Sequence, residues 1–242
     1  MRILIIRHGD PDYSIDSLTE KGWREAHLLA DRLVNEKIDD IYCSTLGRAR
    51  DTAKETLERK KMTATYCEWL KEINYMKVDN PNEPGTEKSM WDFMPRFFCN
   101  DELLHQKDAW KNDGLFDNTE ITRQYDEICS ALDGVLSKHG YKRHGNMYLT
   151  ECGNHDTVAF FCHFGLGSIL LSHLLNVSPF IMLQNTFLAP TSVTEIITEE
   201  RIKGEASLRA QKIGDISHLY VANEPISFSG RFCECFEDDT RH

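Results

Sequence analysis

The sequence predicts an α/β fold: a three-layer sandwich in which a mainly parallel central sheet is flanked by helices, with a helical cap inserted into it. Two observations support this prediction. Short apolar runs alternate with segments whose apolar residues recur at helical spacing, both early and late in the chain. Between about residues 76 and 150 this alternation lapses. Alternating strands and helices favour a parallel sheet covered on both faces, and the interruption indicates the cap.

The first half of the alternation begins at the first residues. Residues 2–7 predict a buried strand, and residues 18–37 a helix with Thr19 as its N-cap. The apolar positions of that helix recur at helical spacing at Ala26, Leu29, Ala30 and Leu33. Further along, residues 38–44 predict a second strand, residues 47–60 a second helix and residues 63–66 a short third strand.

The rest of the chain completes the pattern. Residues 79–85 have turn chemistry, residues 89–98 are aromatic and predict a helix, and residues 121–140 predict an amphipathic helix. Residues 157–162 predict a strand, residues 165–176 a helix, and residues 191–198 and 206–214 the last strands. A tail from about residue 223 is acidic and without periodicity, so we expect it to be irregular. We expect residues 1–242 to form a single domain with the cap inserted at about 76–150.

The composition of the chain limits the kinds of partner that it can bind. The chain has 242 residues, of which 40% are hydrophobic, enough for a sizeable core. Its formal net charge of -11 disfavours nucleic acid or an anionic membrane as the main partner. No stretch approaches the roughly 20 apolar residues of a transmembrane helix, and charge follows the apolar run 3–6, so we expect no signal peptide. These features predict a cytoplasmic protein, and they carry no signal for an oligomeric state.

The cysteines fit a reducing compartment. There are eight, and five of them lie singly in or beside apolar stretches, where cysteine acts as a small hydrophobic residue: Cys43, Cys67, Cys129, Cys152 and Cys162. Cys233 and Cys235 form a pair that a soft metal would suit, but the chain has no second such pair. We therefore expect no metal.

Four residues with anion-binding chemistry follow predicted strands. His8 comes directly after the first strand, beside Arg7, and His163 comes directly after the strand 157–162. Arg48 lies in the first turn of the helix that follows the second strand. Since parallel sheets bind ligands at the carboxyl ends of their strands, we expect these side chains to converge. Two arginines and two histidines at one edge predict a pocket for a phosphoryl group.

Five motifs extend this interpretation to a family. They are RHG at 7–9, LTEKG at 18–22, STLGRARDTA at 44–53, LKEI at 70–73 and CHFG at 162–165. In this order they resemble the motifs of the histidine phosphatase superfamily, the phosphoglycerate-mutase-like group. The resemblance covers roughly residues 1–75 and 155–200, and the segment between corresponds to an insertion of the expected kind.

The resemblance implies a role for each pocket residue. His8 matches the nucleophile, which takes the phosphoryl group onto an imidazole nitrogen as a phosphohistidine. Arg7 and Arg48 match the clamps on the phosphoryl oxygens. His163 matches the second histidine, which donates to the same oxygens together with backbone amides from Phe164 onward. Because guanidinium groups then carry the charge stabilisation, the resemblance implies no metal and no cofactor.

The general acid is implied at Glu72 in LKEI, so the implied catalytic set is His8, Glu72 and His163. Rival carboxylates nearby in the sequence are Glu68, Asp79 and Glu83, and a further rival is Asp10, which directly follows RHG. Phe164 stands where the family commonly has glycine, and we expect its side chain either to narrow the pocket or to force a different backbone path.

Three functions remain in view. Mutases of this group need additional basic residues in the insertion, whereas residues 76–120 contain no adjacent basic pair, and the KRH at 142–144 is predicted to be a loop. The sequence therefore favours metal-independent hydrolysis of a small phosphorylated molecule. The alternatives are a phosphoglycerate-type mutase and a non-catalytic phospho-ligand binding protein. The cap aromatics form either a substrate wall or the core of the cap: Trp91, Phe93, Phe97, Phe98 and Trp110.

Overall fold

A computed structural model describes residues 1–80 and 83–238 of the chain. The strands are β1 (Arg2–Arg7), β2 (Pro11–Asp12), β3 (Ser17–Leu18), β4 (Asp40–Ser44), β5 (Thr65–Cys67), β6 (Lys77–Asp79), β7 (Glu87–Ser89), β8 (Lys142–His144), β9 (Met147–Leu149), β10 (Thr157–Cys162), β11 (Val193–Ile202) and β12 (Glu205–Asp215). The α-helices are α1 (Glu20–Leu33), α2 (Gly47–Lys60), α3 (Pro95–Phe98), α4 (Ile121–Lys138), α5 (Phe164–Leu175), α6 (Pro179–Asn185) and α7 (Ser217–Val221). Short 3₁₀ helices span Glu68–Leu70, Ala109–Asn112 and Gly114–Phe116. Two residues of the predicted turn at 79–85 and the last four of the predicted tail lie outside the described residues.

One eight-stranded mixed sheet organises the described chain, in the order β5-β4-β10-β1-β11-β12-β9-β8. The strands β5, β4, β10 and β1 pair in parallel. From β11 onward the pairs are antiparallel, because β11 and β12 form a long hairpin. The parallel half was predicted and is confirmed, and it is the half that carries the predicted pocket.

The side chains of the central strands alternate between two cores. Ile3 and Ile5 of β1 pack into a cluster with residues of α4 and α5 on one face. Leu4 and Ile6 pack with residues of α1 and α2 on the other face. Successive side chains of a strand point to opposite faces, so a fully apolar β1 needs helices on both sides. The three-layer arrangement is therefore confirmed.

The predicted helices 18–37, 47–60 and 121–140 are present as α1, α2 and α4. Thr19 caps α1, since its side chain accepts a hydrogen bond from the amide of Gly22. None of the helices in the described part of the chain combines the length and the apolar character needed to cross a bilayer.

Two local predictions are wrong. The helix predicted at 89–98 is confined to Pro95–Phe98, because a proline is accommodated in the first turn of a helix and interrupts an earlier start. The KRH at 142–144, predicted as a loop, is strand β8, which pairs with β9 around a turn at Gly145, where φ is +60°. Such strands of three residues, and the short helix α6, leave little periodicity in a sequence.

Candidate active site

The two histidines lie side by side because two parallel strands end together. Arg7 of β1 is paired with Cys162 of β10, so the next residue of each strand, His8 and His163, emerges at the same edge of the sheet. Their ring centroids are 5.1 Å apart. The predicted convergence of the two side chains is therefore observed.

The geometry of His8 presents one free ring nitrogen. Its Nδ1 lies 2.7 Å from the carbonyl oxygen of Gly9, an acceptor, so Nδ1 carries a proton and donates it. Burial, followed by the charges of Arg7 and Arg48, holds the pKa of His8 well below its usual range. A neutral ring protonated on Nδ1 has its lone pair on Nε2, which is the form that a nucleophile requires.

His163 is fully buried and is held by Ser44 at the end of β4. Its Nε2 lies 2.8 Å from the Ser44 hydroxyl oxygen, which also accepts a hydrogen bond from the amide of Leu46. Burial and the neighbouring His8, Arg48 and Arg7 keep the pKa of His163 well below its usual range. A hydroxyl can donate as well as accept, and when Ser44 donates to Nε2 the neutral ring carries its own proton on Nδ1.

Arg7 is held by backbone carbonyls and aromatic rings. Its Nη1 donates to the carbonyl of Leu188 at 2.6 Å and its Nη2 to the carbonyl of Ser229 at 3.1 Å. The guanidinium carbon lies 5.7 Å from the ring centre of Phe164 and 5.8 Å from that of Phe187. These contacts fix the guanidinium plane, and the contact with Ser229 brings the C-terminal tail to the site.

Arg48 is oriented by Asp16. Its Nη1 donates to Oδ1 of Asp16 at 2.5 Å, and the amide of Gly47 donates to Oδ2 of the same carboxylate at 2.7 Å. A Cβ at residue 47 would lie 2.0 Å from the backbone oxygen of Asp16, so only glycine fits at the start of α2. Asp16, in the segment before α1, therefore fixes the orientation of the Arg48 side chain on α2.

Three buried polar atoms of this cluster have no partner among the described residues. They are Nε of Arg7, Nε of Arg48 and Nδ1 of His163. Leaving one buried polar group unpaired costs about 1–3 kcal/mol, and more for a charged group. Two cationic donors and one imidazole nitrogen, all within a buried cluster, can be satisfied together by an oxyanion. We call this cluster the candidate anion site, or anion site for short.

Glu72 lies at the N-terminus of α5, next to this anion site. Its Oε1 accepts hydrogen bonds from the amides of Leu166 at 3.1 Å and Ile73 at 3.0 Å, and its Oε2 accepts one from Gly165 at 3.3 Å. Two of the first amides of α5, which the resemblance implied for the phosphoryl group, thus donate to Glu72 instead. The amide of Phe164 is the first one of the helix that remains.

The rival carboxylates lie elsewhere. Glu68 is exposed and pairs with Lys71 at 2.5 Å, and Asp79 and Glu83 are exposed near the β6–β7 hairpin. Asp10 accepts a hydrogen bond from the Thr19 hydroxyl at 2.7 Å on one oxygen and from a tail serine on the other. Among these candidates the structure brings Glu72 alone to the N-terminus of α5.

Sequence reasoning missed two contributors. Glu25 of α1 is fully buried, accepts a hydrogen bond from the amide of Asp10 at 2.8 Å, and has its pKa raised to about 7 by burial. The tail packs across the site, with the Ser227 hydroxyl donating to Asp10 and the Ser229 carbonyl accepting from Arg7. A glutamate in an amphipathic helix and an aperiodic tail give no sequence signal for such contacts.

No group of three or more His, Cys, Asp or Glu side chains in the described ranges is arranged to hold a metal ion. The side chains of Cys43, Cys67, Cys99, Cys129, Cys152, Cys162 and Cys235 are free thiols.

Comparison with known proteins identifies the relatives of the chain. Residues 3–112 match the family model described as the histidine phosphatase superfamily (branch 1). A protein of Schizosaccharomyces pombe named as a probable phosphatase is 26% identical over 234 residues, which span 90% of this chain and 95% of that protein.

Two further matches differ in extent. A probable phosphoglycerate mutase GpmB of Yersinia pestis is 33% identical over 89 residues, which span 33% of this chain and 41% of that protein. A phosphoserine phosphatase of Entamoeba histolytica, solved in complex with phosphoserine, superposes with a TM-score of 0.57 at 20% identity, covering 90% of this chain and 98% of that one. The last match supports the fold.

Proposed function

On the premise that the chain belongs to the histidine phosphatase superfamily, whose model matches residues 3–112, we propose that it hydrolyses a small phosphomonoester without a metal, through a covalent phosphohistidine on His8. The match to the family model and the near full-length relative named as a probable phosphatase support a phosphatase activity. The covalent step and the substrate class are the proposal.

One observation carries the proposal: the residues with unpaired buried nitrogens, Arg7, Arg48 and His163, are neighbours of the neutral imidazole of His8. A phosphoryl group bound there accepts hydrogen bonds on its equatorial oxygens from these donors and from the Phe164 amide. The three side chains stabilise the charge that builds on these oxygens in the transition state.

The reaction proceeds in two steps. In the first, the Nε2 lone pair of His8 attacks phosphorus, the bond to the ester oxygen breaks, and protonated Glu72 gives its proton to the leaving oxygen. In the second, ionised Glu72 accepts a proton from a water molecule whose oxygen attacks the same phosphorus. The bond to Nε2 then breaks, which releases inorganic phosphate and restores both side chains.

Hydrolysis is favoured over mutase transfer by the partners of the cap cations. Transfer between sugar acids needs a second group of free cations for the carboxylate. Between residues 76 and 120 the four lysines all have partners: Lys77 pairs with Glu87, Lys88 with Asp92, Lys107 with Asn146 and Asn176, and Lys111 with Asp126. The fifth cation of this stretch, Arg96, lies on α3. Arg143 of the KRH segment donates to Asn176 and to the His173 carbonyl.

The domain organisation and the location belong to the same proposal. We take the chain as one domain in which the segment at about 76–150 caps the pocket through Trp91 and its neighbours, while the tail from about residue 223 covers the pocket from the opposite side. The seven thiols of Cys43, Cys67, Cys99, Cys129, Cys152, Cys162 and Cys235, none of them in a disulfide bond, support a reducing, cytoplasmic environment.

Phosphate release from 4-nitrophenyl phosphate in the presence of EDTA tests the proposal. The wild-type protein and a control variant, His144→Ala, which alters an exposed histidine of β8, are expected to release phosphate at equal rates. His8→Ala is expected to lose the activity by at least about 10³-fold. Release that survives this substitution overturns the nucleophile, and no release by the wild type on a broad phosphomonoester panel favours the non-catalytic binding function.

A further inference from the structure

A cavity of about 640 Å³ lies next to the anion site. Its walls come from the cap, from the first residue of α5, from the C-terminal part of α6 with the residues that follow it, and from the tail. Six aromatic side chains line it: Trp91, Phe93, Phe164, Phe187, Phe232 and Phe236. We call it the aromatic chamber. Its volume lies within the range of roughly 300–1,000 Å³ that is usual for small-molecule sites.

The chamber begins at the phosphoryl clamp. Phe164 and Phe187, which line it, pack on the guanidinium of Arg7 at 5.7 and 5.8 Å. Gly230, which also lines it, lies so close that a Cβ there would be 2.9 Å from Nη2 of Arg7. The inner end of the chamber is therefore the arginine that the phosphoryl group contacts.

The proposed acid lies at the same end. A Cβ at residue 165 would be 2.8 Å from Oε1 of Glu72 and 3.0 Å from a ring carbon of Trp91, a chamber wall residue. Glu72 and Trp91 thus meet at the first turn of α5. When the ester oxygen receives the proton of Glu72, the rest of the leaving group lies along Trp91 and extends into the chamber.

The charged residues of the chamber are already paired. Asp92 pairs with Lys88 at 3.2 Å. Arg231 pairs with Glu234, and its guanidinium carbon lies 5.8 Å from the ring centre of Phe187. The described lining contains no lysine. A leaving group with a carboxylate would find no unpaired cation there, whereas an apolar group would be removed from water by aromatic rings.

From this arrangement, and resting on the proposed function, we infer that the aromatic chamber is the leaving-group subsite and that it selects phosphomonoesters of apolar alcohols, with the tail residue Phe232 as a specificity-determining residue. The tail is held in place by Ser227 on Asp10 and by Glu224, which pairs with Lys21 at 2.9 Å. The tail therefore supplies a wall of the subsite.

Alkylphosphonates test the subsite separately from catalysis, because their carbon–phosphorus bond is not hydrolysed. Titration calorimetry of the full chain with the series from methyl- to hexylphosphonate is expected to show the Kd falling about twofold to fourfold for each added methylene. A Kd independent of chain length, or tighter binding of 3-phosphonopropanoate than of butylphosphonate, overturns the inference.

Phe232→Ala tests the wall. It is expected to flatten the chain-length gradient while leaving the Kd of methylphosphonate within about twofold, since the short ligand reaches only the anion site. Tyr220→Ala, a matched change at an exposed position of α7, is expected to leave the whole series unchanged. A gradient that survives Phe232→Ala overturns the role of the tail.

Hydrolysis of the corresponding alkyl phosphates separates the two proposals. The alcohols of this series from propyl to hexyl have nearly equal acidity, so a change in kcat/KM with chain length reports binding of the alkyl group. A phosphonate gradient without phosphate release from any of these esters overturns the proposed function and leaves the subsite standing. Phosphate release from these esters without a chain-length gradient in phosphonate binding overturns the subsite and leaves the proposed function standing.

Discussion

The Ser44 hydroxyl lies 2.8 Å from Nε2 of His163, and it accepts a hydrogen bond from the amide of Leu46 at 3.2 Å. The amide takes one of the two lone pairs of the hydroxyl oxygen, and the hydroxyl proton stays available for His163. When the hydroxyl donates to Nε2, the imidazole proton is on Nδ1, the atom without a partner among the described residues. We expect the serine at the end of β4 to favour this tautomer, in which the histidine after β10 acts as a donor.

Ser44→Ala is expected to lower kcat/KM about tenfold to a hundredfold, because His163 loses the hydrogen bond that fixes its tautomer. The measurement is steady-state hydrolysis of 4-nitrophenyl phosphate, with the Ki of inorganic phosphate rising in parallel. Ser14→Ala, at an exposed serine that bonds only with Asp12 in the loop, is the control and is expected to match the wild type. Wild-type kinetics in Ser44→Ala would contradict the assignment of the proton.

Asp16 is expected to act on the phosphoryl group through Arg48. Asp16→Ala removes the 2.5 Å bond to the guanidinium, and we expect inorganic phosphate and vanadate to bind about tenfold more weakly. Asp16→Asn is expected to lose less, since asparagine keeps an acceptor and tolerates the positive φ of 48° at this position. Asp12→Asn, in the same loop, serves as the control. Equal inhibition constants in all four proteins would exclude the positioning role.

The loss of kcat in Glu72→Gln is expected to depend on the acidity of the substrate's leaving group. Alkyl phosphates need a proton on the departing oxygen, and we expect their kcat to fall about 10²–10⁴-fold. 4-Nitrophenyl phosphate, whose leaving group departs as an anion, is expected to lose much less. Glu68→Gln, at the exposed neighbour, is the matched control. A loss of the same size for both substrate types would assign Glu72 to positioning α5 and not to proton transfer.

The buried His218 predicts that stability falls in mild acid. Burial lowers its pKa from 6.5 to about 4, while its Nε2 lies 3.1 Å from the Thr191 hydroxyl. Between these values the unfolded chain binds the proton and the folded chain does not, so the free energy of unfolding rises with pH over that window. The contribution is present in full above pH 6.5 and amounts to at most about 3 kcal/mol.

Urea unfolding at pH 4.5 and pH 7 measures this effect. His218→Gln is expected to lower the signed difference, the free energy of unfolding at pH 7 minus that at pH 4.5, and His144→Gln, at an exposed histidine, to leave it unchanged. Glu25, with its pKa raised to about 7 by burial, contributes with the opposite sign, because the folded chain holds its proton more tightly. A pH difference that is the same in His218→Gln and the wild type would contradict the assignment.

The parts of the fold and site that could be predicted are those fixed by local pattern. Consecutive aliphatic residues at Ile3–Ile6 required two covered faces, and the positions of His8 and His163 after strands placed them at one edge. Parallel pairing of the two strands places the ring centroids of the two histidines 5.1 Å apart. That they are neighbours follows from the strand register and could be predicted without side-chain detail.

The parts that escaped prediction depend on contacts between distant segments. Ser229 meets Arg7 across 222 residues, and Asp16, in the turn between β2 and β3, meets Arg48 across 32 residues. Neither contact leaves a periodic signal. The chamber has the same origin, because its walls come from the cap, α5–α6 and the tail, and only the folded chain shows that Trp91 and Phe232 face one space.

Trapping the phosphoenzyme tests the central claim most directly. We expect rapid quenching in alkali during turnover of a phosphomonoester, followed by mass spectrometry and ³¹P NMR, to find one phosphoryl group on His8, attached at Nε2 because Nδ1 is bonded to Gly9. The adduct is expected to be labile in acid and absent from His8→Ala. A phosphoryl group on another residue, or turnover with no phosphoenzyme even in Glu72→Gln, which slows its hydrolysis, would contradict the account.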